Sequence, residues 1–185
     1  METLSHQEAM ARLDDFLLPV GSDTAALLQA LVKGTKPRLI LELGTSYGYS
    51  TAWLAAAARD YGARLITLEL SEKKVAYARD AIARAGLAAV VDFRVGNALN
   101  ILPGLPDSID FVLIDLWKNL YVACLDAVYP KLASGAIVVA DNMLQPESSR
   151  PEAAAYRRRV RELGLDSVLL PVGSGIELSR KTRAD

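Results

Sequence analysis

The sequence is short of the residues that build most metal and redox centres. It has one histidine, His6, and one cysteine, Cys124. A zinc or non-haem iron site made of imidazoles needs more than one histidine, so such sites are excluded. A single cysteine forms no internal disulfide, which fits a soluble, reducing compartment such as the cytoplasm. Aromatic residues make up 6% of the chain. No apolar run approaches the roughly 18–20 residues of a membrane span. The N-terminus lacks a basic segment followed by an apolar one, so no secretion signal is expected. Basic excess is missing too: the formal net charge is -1. Phosphate-backbone binding needs such an excess, so nucleic acid is not an expected partner, and neither is a membrane.

What is present is a core. Of 185 residues, 51% are apolar, enough for one packed domain and little for a second. Ser5-x-x-Glu8 forms a capping box that opens a short helix to about Leu18. Pro19 and Gly21 break it. Ser22 or Asp23 caps a second helix, Thr24 to about Val32, which Gly34 and Pro37 end. These two helices make an N-terminal cap over residues 1–34.

A strict alternation follows over residues 35–180. Strands are expected at Arg38–Leu43, Arg64–Glu69, Ala89–Val95, Ile109–Asp115 and Gly135–Ala140. Helices are expected between them at Tyr49–Asp60, Glu72–Ala85, Ala98–Leu102 and Asn119–Tyr129, then at Pro151–Leu163. Asp166–Leu170 and Gly175–Arg180, joined by Pro171-Val172-Gly173-Ser174, read as a closing β-hairpin. Residues 181–185 read as a frayed tail. Continuous apolar strands in repeated βα units predict an α/β fold with a mostly parallel sheet covered on both faces.

Two strand ends carry chemistry. Phe111-Val112-Leu113-Ile114 runs into Asp115-Leu116-Trp117-Lys118, and Ala136-Ile137-Val138-Val139-Ala140 into Asp141-Asn142. If these strands are parallel neighbours, Asp115, Asp141 and Asn142 meet. Two carboxylates and an amide carbonyl suit a hard cation, Mg²⁺ or alternatively Mn²⁺ or Ca²⁺. Lys118 then stands where a base beside the metal would stand. Mg²⁺ takes about six oxygens, so three protein ligands leave room for a vicinal diol and one water.

After the first strand comes Glu42-Leu43-Gly44-Thr45-Ser46-Tyr47-Gly48-Tyr49-Ser50. Gly44 and Gly48 allow a tight turn and close backbone approach by a ligand. Glu69 ends the second strand, where an acid binds ribose hydroxyls in this kind of fold. Taken alone, the loop also reads as an ordinary βα turn. The spacing is not Gly-x-Gly-x-x-Gly, and an acidic Glu42 at the mouth disfavours a phosphate. A cationic, phosphate-free nucleoside fits better.

These segments resemble the class I S-adenosylmethionine-dependent, cation-dependent O-methyltransferases, the catechol O-methyltransferase group in particular. Glu42–Ser50 is similar to the group's cofactor loop, Leu65–Glu69 to its ribose strand and Val95–Ala98 to its adenine loop. Asp110–Lys118 with Tyr121 resembles its metal-and-base segment. Gly135–Asn142 resembles its second metal segment, and Gly175-Ile176-Glu177 a segment bearing a substrate-orienting acid. The likeness spans about Val20 to Arg180.

The resemblance implies a Rossmann-like methyltransferase domain: seven strands, mostly parallel, with a C-terminal antiparallel hairpin strand. It implies that S-adenosylmethionine is bound by Val20, Gly44, Ser46, Gly48, Ser50, Glu69, Asn97, Ala98, Asp115 and Trp117. It places the metal on Asp115, Asp141 and Asn142, with Lys118 as the base. A small phenolic acceptor would meet Trp117, Lys118, Asn142 and Glu177. A homodimer and a monomer are both compatible with it. Leu116 and Ser46 depart from the catechol enzyme's pattern, which has a histidine and an aromatic residue there. The alternatives are a metal-independent small-molecule methyltransferase and a non-catalytic S-adenosylmethionine-binding protein. Arg157-Arg158-Arg159 with Arg161 reads as a solvated helix face, or as an attractor of an anionic substrate tail.

Overall fold

The computed structural model describes residues 19–182. The expected helix from Ser5 to Leu18, with His6 on it, lies outside the described residues. The elements in chain order are α1 (Ser22–Thr35), β1 (Leu39–Leu43), α2 (Tyr49–Arg59), β2 (Arg64–Glu69), α3 (Glu72–Arg84), β3 (Val91–Val95), α4 (Ala98–Ile101), β4 (Ile109–Ile114), α5 (Tyr121–Val128), β5 (Leu132–Ala140), α6 (Arg150–Glu162), β6 (Leu165–Leu170) and β7 (Ile176–Lys181). One sheet runs β3-β2-β1-β4-β5-β7-β6. The first five strands pair in parallel, and β7 pairs antiparallel with both β5 and β6.

Strand residues alternate between two cores because successive side chains point to opposite faces. Ile40, Leu65, Phe111, Leu113 and Val139 pack with Leu28 and Val32 of α1, the alanine face of α2 and Val75, Ala78 and Ile82 of α3. Leu41, Leu43, Val112, Ile114, Val138 and Ala140 pack with Tyr121, Cys124 and Leu125 of α5 and Ala153, Tyr156 and Val160 of α6. Both faces of the central strands are therefore buried, which is why their sequences read as unbroken apolar runs.

Several boundaries differ from expectation. Gly21, not Ser22 or Asp23, is the N-cap of α1, with no side-chain cap bond. Gly34 lies inside that helix, which ends when Lys36 turns left-handed and donates its backbone N–H to Val32. The segment Ala88–Val90 is a 3-10 turn, so β3 starts at Val91. Another such turn, Lys118–Leu120, precedes α5, and Pro130 sits in a third, Tyr129–Lys131. β5 starts three residues before Gly135. Lys181 is not frayed: it ends β7, and its Nζ donates to Leu132 O at 2.9 Å.

The register positions the site. Leu43 pairs with Leu68 and Ile114, and Ile114 pairs with Ala140. The tips of β2, β1, β4 and β5 thus end side by side. Backbone bonds carry the ladders one residue further, with Gly44 N donating to Leu68 O, Asp115 N to Leu43 O and Asp141 N to Ile114 O.

Candidate functional site

A cleft opens above these tips, lined by Pro19, Val20, Gly44, Thr45, Ser46, Tyr47, Tyr49, Ser50 and Asp115. Val20, Gly44, Ser46, Ser50 and Asp115 were expected there. The sequence does not single out Pro19, Thr45, Tyr47 or Tyr49, although the last three lie within the Glu42–Ser50 loop.

Gly44 has φ +106°, and a Cβ on it would lie 1.9 Å from Asp115 O. Only glycine fits. Gly48 serves differently. It caps α2 at φ +87°, and its missing side chain admits Ala78 of α3, at 3.0 Å from an added Cβ. It does not line the cleft. No side chain caps α2, so that helix offers backbone N–H groups at its start.

Glu69 fastens the loop to β2. Its Oε2 accepts from Ser46 N at 2.8 Å, and its Oε1 accepts from Leu70 N and Ser71 N at 2.9 and 3.1 Å. The first bond holds Ser46 in a left-handed conformation, φ +46°. A carboxylate has about four lone-pair sites, so acceptor capacity remains. Gly96 N donates to Glu69 O at 2.8 Å, which brings the Asn97–Ala98 segment beside this acid. Asn97 uses its Oδ1 to cap α4 through Leu99 N, and Ala98 is buried.

Glu42 corrects one expectation. It is fully buried rather than at the mouth. Its Oε2 accepts from Thr51 and Thr67 hydroxyls, each at 2.6 Å, and Thr67 in turn accepts from Thr45 at 2.6 Å. Burial pushes its carboxyl up to about 6, against the opposing pull of Ser50, Thr51 and Thr67.

The second half of the site is built on β4 and β5. Asp115 is half-buried and Asp141 buried. Burial raises both carboxyls. Asp141 raises Asp115 further, and the Lys118 ammonium opposes the rise in each. Asn142 follows at φ +57°, with its N–H on Asp141 Oδ1 at 2.7 Å. Two neighbouring carboxyls, the second followed by an amide, are oxygen donors of the kind that could hold a hard divalent ion. Among the described residues there is no cluster of three or more histidine, cysteine, aspartate or glutamate side chains that could do so.

Lys118 Nζ donates to Asp141 O at 2.6 Å and lies 3.7 Å from the ring centroid of Tyr121. Tyr121 OH donates to the same carbonyl at 3.2 Å. Burial lowers the lysine to about 8, although Asp115 and Asp141 pull it upward. Trp117, half-buried, opens the 3-10 turn that carries Lys118. The sequence marks Tyr121 only as part of the Asp110–Lys118 motif; its burial under Lys118 comes from the fold.

Glu177 pairs in register with Ala140, next to Asp141. It is fully buried, and its Oε2 accepts from Arg157 Nε at 2.8 Å. Its Oε1 is buried without a partner. The rest of the arginine run lies on the helix surface, with Arg159 bound to Asp126 and Glu162.

Known proteins share this plan. A family described as "Methyltransferase domain" matches residues 41–143, more than half of the chain. The chain is 35% identical to a catechol O-methyltransferase of Niastella koreensis over 82% of its own length and 73% of that protein. It is 36% identical to one from Mycobacterium tuberculosis over 84% and 74%. An O-methyltransferase from Bacillus cereus, solved in complex with S-adenosylhomocysteine, superimposes with a TM-score of 0.83 at 27% identity, covering 95% of this chain and 90% of that one. One from Streptomyces achromogenes, solved with S-adenosylmethionine, gives 0.80 at 29% identity, covering 94% and 87%. The glycine loop clasped by Glu69, the sheet order and these likenesses agree: the chain belongs to the class I S-adenosylmethionine-dependent O-methyltransferase family.

Proposed function

We propose that the protein transfers a methyl group from S-adenosylmethionine to one hydroxyl of a small catechol-like acceptor, with a divalent cation bound at Asp115, Asp141 and Asn142. The observation that supports this reading is that Asp115, which lines the cleft, lies within electrostatic reach of Asp141 and Lys118, with Lys118 Nζ on the Asp141 carbonyl and Asn142 next in the chain. The catechol O-methyltransferase relatives support the acceptor class. The structures solved with S-adenosylmethionine or its product support the donor.

In this reading Val20, Gly44, Ser46 and Ser50 line the donor's methionine end. Glu69 takes ribose hydroxyls with its remaining lone pairs, and Asn97 and Ala98 border the adenine. Trp117 walls the acceptor from one side. Lys118, easier to deprotonate than a free lysine, takes the proton of the reacting hydroxyl. The oxygen so exposed attacks the methyl carbon in line with the sulfonium. The sulfur–carbon bond breaks and leaves a methyl ether and S-adenosylhomocysteine. When bound, Mg²⁺ would lower the pKa of a coordinated hydroxyl and orient two adjacent ones. Orientation of reactants supplies roughly 7–11 kcal/mol in the best intramolecular cases.

The test is methyl transfer to catechol and caffeate with and without chelator, in wild type and Lys118→Ala. Chelator and the substitution should each abolish most turnover. Full activity under chelator would remove the metal. Full activity of the variant would remove the base.

A further inference from the structure

We propose that Arg157 makes the acceptor side of this site selective for uncharged and anionic catechols over cationic ones, by cancelling the charge of Glu177. The inference rests on the acceptor reading above and sharpens it.

Glu177 and Ala140 face each other across the antiparallel β5–β7 pair. Directly opposed residues share one face of a sheet, with Cβ atoms about 4.5–5.5 Å apart. Ala140 belongs to the core layer of Tyr121 and Tyr156, so Glu177 projects into that layer, one residue from Asp141. Tyr156 is stacked edge-on against Tyr121, at 5.7 Å between centroids. Tyr156 OH and Glu177 Oε1 are both buried without a partner, and the charge of Glu177 adds to the burial that raises the Tyr156 phenol. Glu177 thus projects into the same buried layer as the Tyr121 ring that lies under Lys118.

A buried carboxylate with an idle oxygen draws cations strongly. Alone, Glu177 would favour a catechol with an ammonium tail. It is not alone. Arg157 Nε meets one oxygen at 2.8 Å, and the arginine side chain is 38% exposed against 0% for the glutamate. The positive partner is therefore the one that faces outward. A guanidinium carries five N–H donors in a fixed fork. Among the described contacts only Nε of Arg157 is used, which leaves donors for a carboxylate on the acceptor. Side chains on a helix lean toward its N-terminus, and α6 begins on the side of the sheet where β5 ends, so the lean carries Arg157 toward the tips. Arg159 is held by Asp126 and Glu162, and Arg158 lies 4.0 Å from Glu162. Of the run, Arg157 is the member that turns inward to the strand tips.

The experiment compares kcat/KM for catechol, 3,4-dihydroxybenzoate and dopamine at saturating S-adenosylmethionine and Mg²⁺. The proteins are wild type, Arg157→Lys, Arg157→Gln and the double variant Arg157→Gln with Glu177→Gln. Wild type should favour dihydroxybenzoate over dopamine. Arg157→Gln should move that ratio toward dopamine by roughly tenfold or more. Arg157→Lys should keep the wild-type order. The double variant leaves no buried charge unpaired and should show little preference. A ratio that is the same in all four proteins would overturn the proposal, as would wild type preferring dopamine. In both results wild type still methylates catechol. Failure of the acceptor reading looks different: no methyl reaches any of the three compounds.

Discussion

A methyl group on Gly44 would lie 1.9 Å from the carbonyl oxygen of Asp115. The glycine loop and the first acidic tip are therefore packed backbone against backbone. Gly44→Ala combines a left-handed φ of +106° with that overlap. The expected cost is roughly 2–5 kcal/mol of stability, with S-adenosylhomocysteine binding lost. Urea unfolding and calorimetry measure the two effects, and an alanine variant of wild-type stability would refute the contact.

Glu42 sets a pH dependence of stability. Its carboxyl rises from 4.5 to about 6 on folding. The folded state then holds the proton more tightly than the unfolded one. Stability from this group is full below 4.5 and lost as pH rises through about 6. The loss is about 2 kcal/mol. Glu42→Gln, which keeps an oxygen for Thr51 and Thr67, should flatten the curve between pH 4 and 7. Chemical unfolding across that range decides it.

Asp115 and Asp141 should make the metal-free protein less stable when both are charged, since burial and mutual repulsion disfavour that state. Asp141→Asn removes the repulsion. At pH 8 without divalent ions it should match or exceed the wild-type Tm. Added Mg²⁺ should raise the Tm of wild type and leave the variant unmoved. Thermal unfolding with and without Mg²⁺ tests both halves.

Tyr121 should act on Lys118 in two separable ways. Tyr121→Phe keeps the ring under the ammonium and loses the bond to Asp141 O, at a cost of about 1 kcal/mol. Tyr121→Leu loses both. The phenylalanine variant should therefore retain more of kcat than the leucine variant, with KM for S-adenosylmethionine little changed in either. Equal kcat values would show that the ring does not position the lysine.

The central strands were legible because they are buried on both faces, and their tips because acids and amides ended those runs. Asp115, Asp141 and Asn142 could be placed together once β4 and β5 were read as parallel neighbours. Glu42 was misplaced because sequence position gives the strand end and not the face: its neighbours in space, Thr51 and Thr67, lie 9 and 25 residues away. Arg157 read as one member of a charged stripe because its partner Glu177 comes from a different element. The caps of α1 erred for a local reason. Gly21 and Lys36 take positive φ, and the expected Ser22 and Asp23 became the first helical residues.

The β4–β5 ladder pairs Ile109 with Leu132 and then jumps to Phe111 with Ile137. Two steps along one strand answer five along the other, so Ala133–Ala136 is slack in the ladder. That slack uncouples the length of β5 from the alignment of its far end. A one-residue deletion at Ser134 can be absorbed there, with Asp141 still level with Asp115. The same deletion at Val139 would turn every following side chain to the opposite face and carry Asp141 away from its neighbour. The acidic pair is thus protected from indels at the foot of the strand and fully exposed to them at its head.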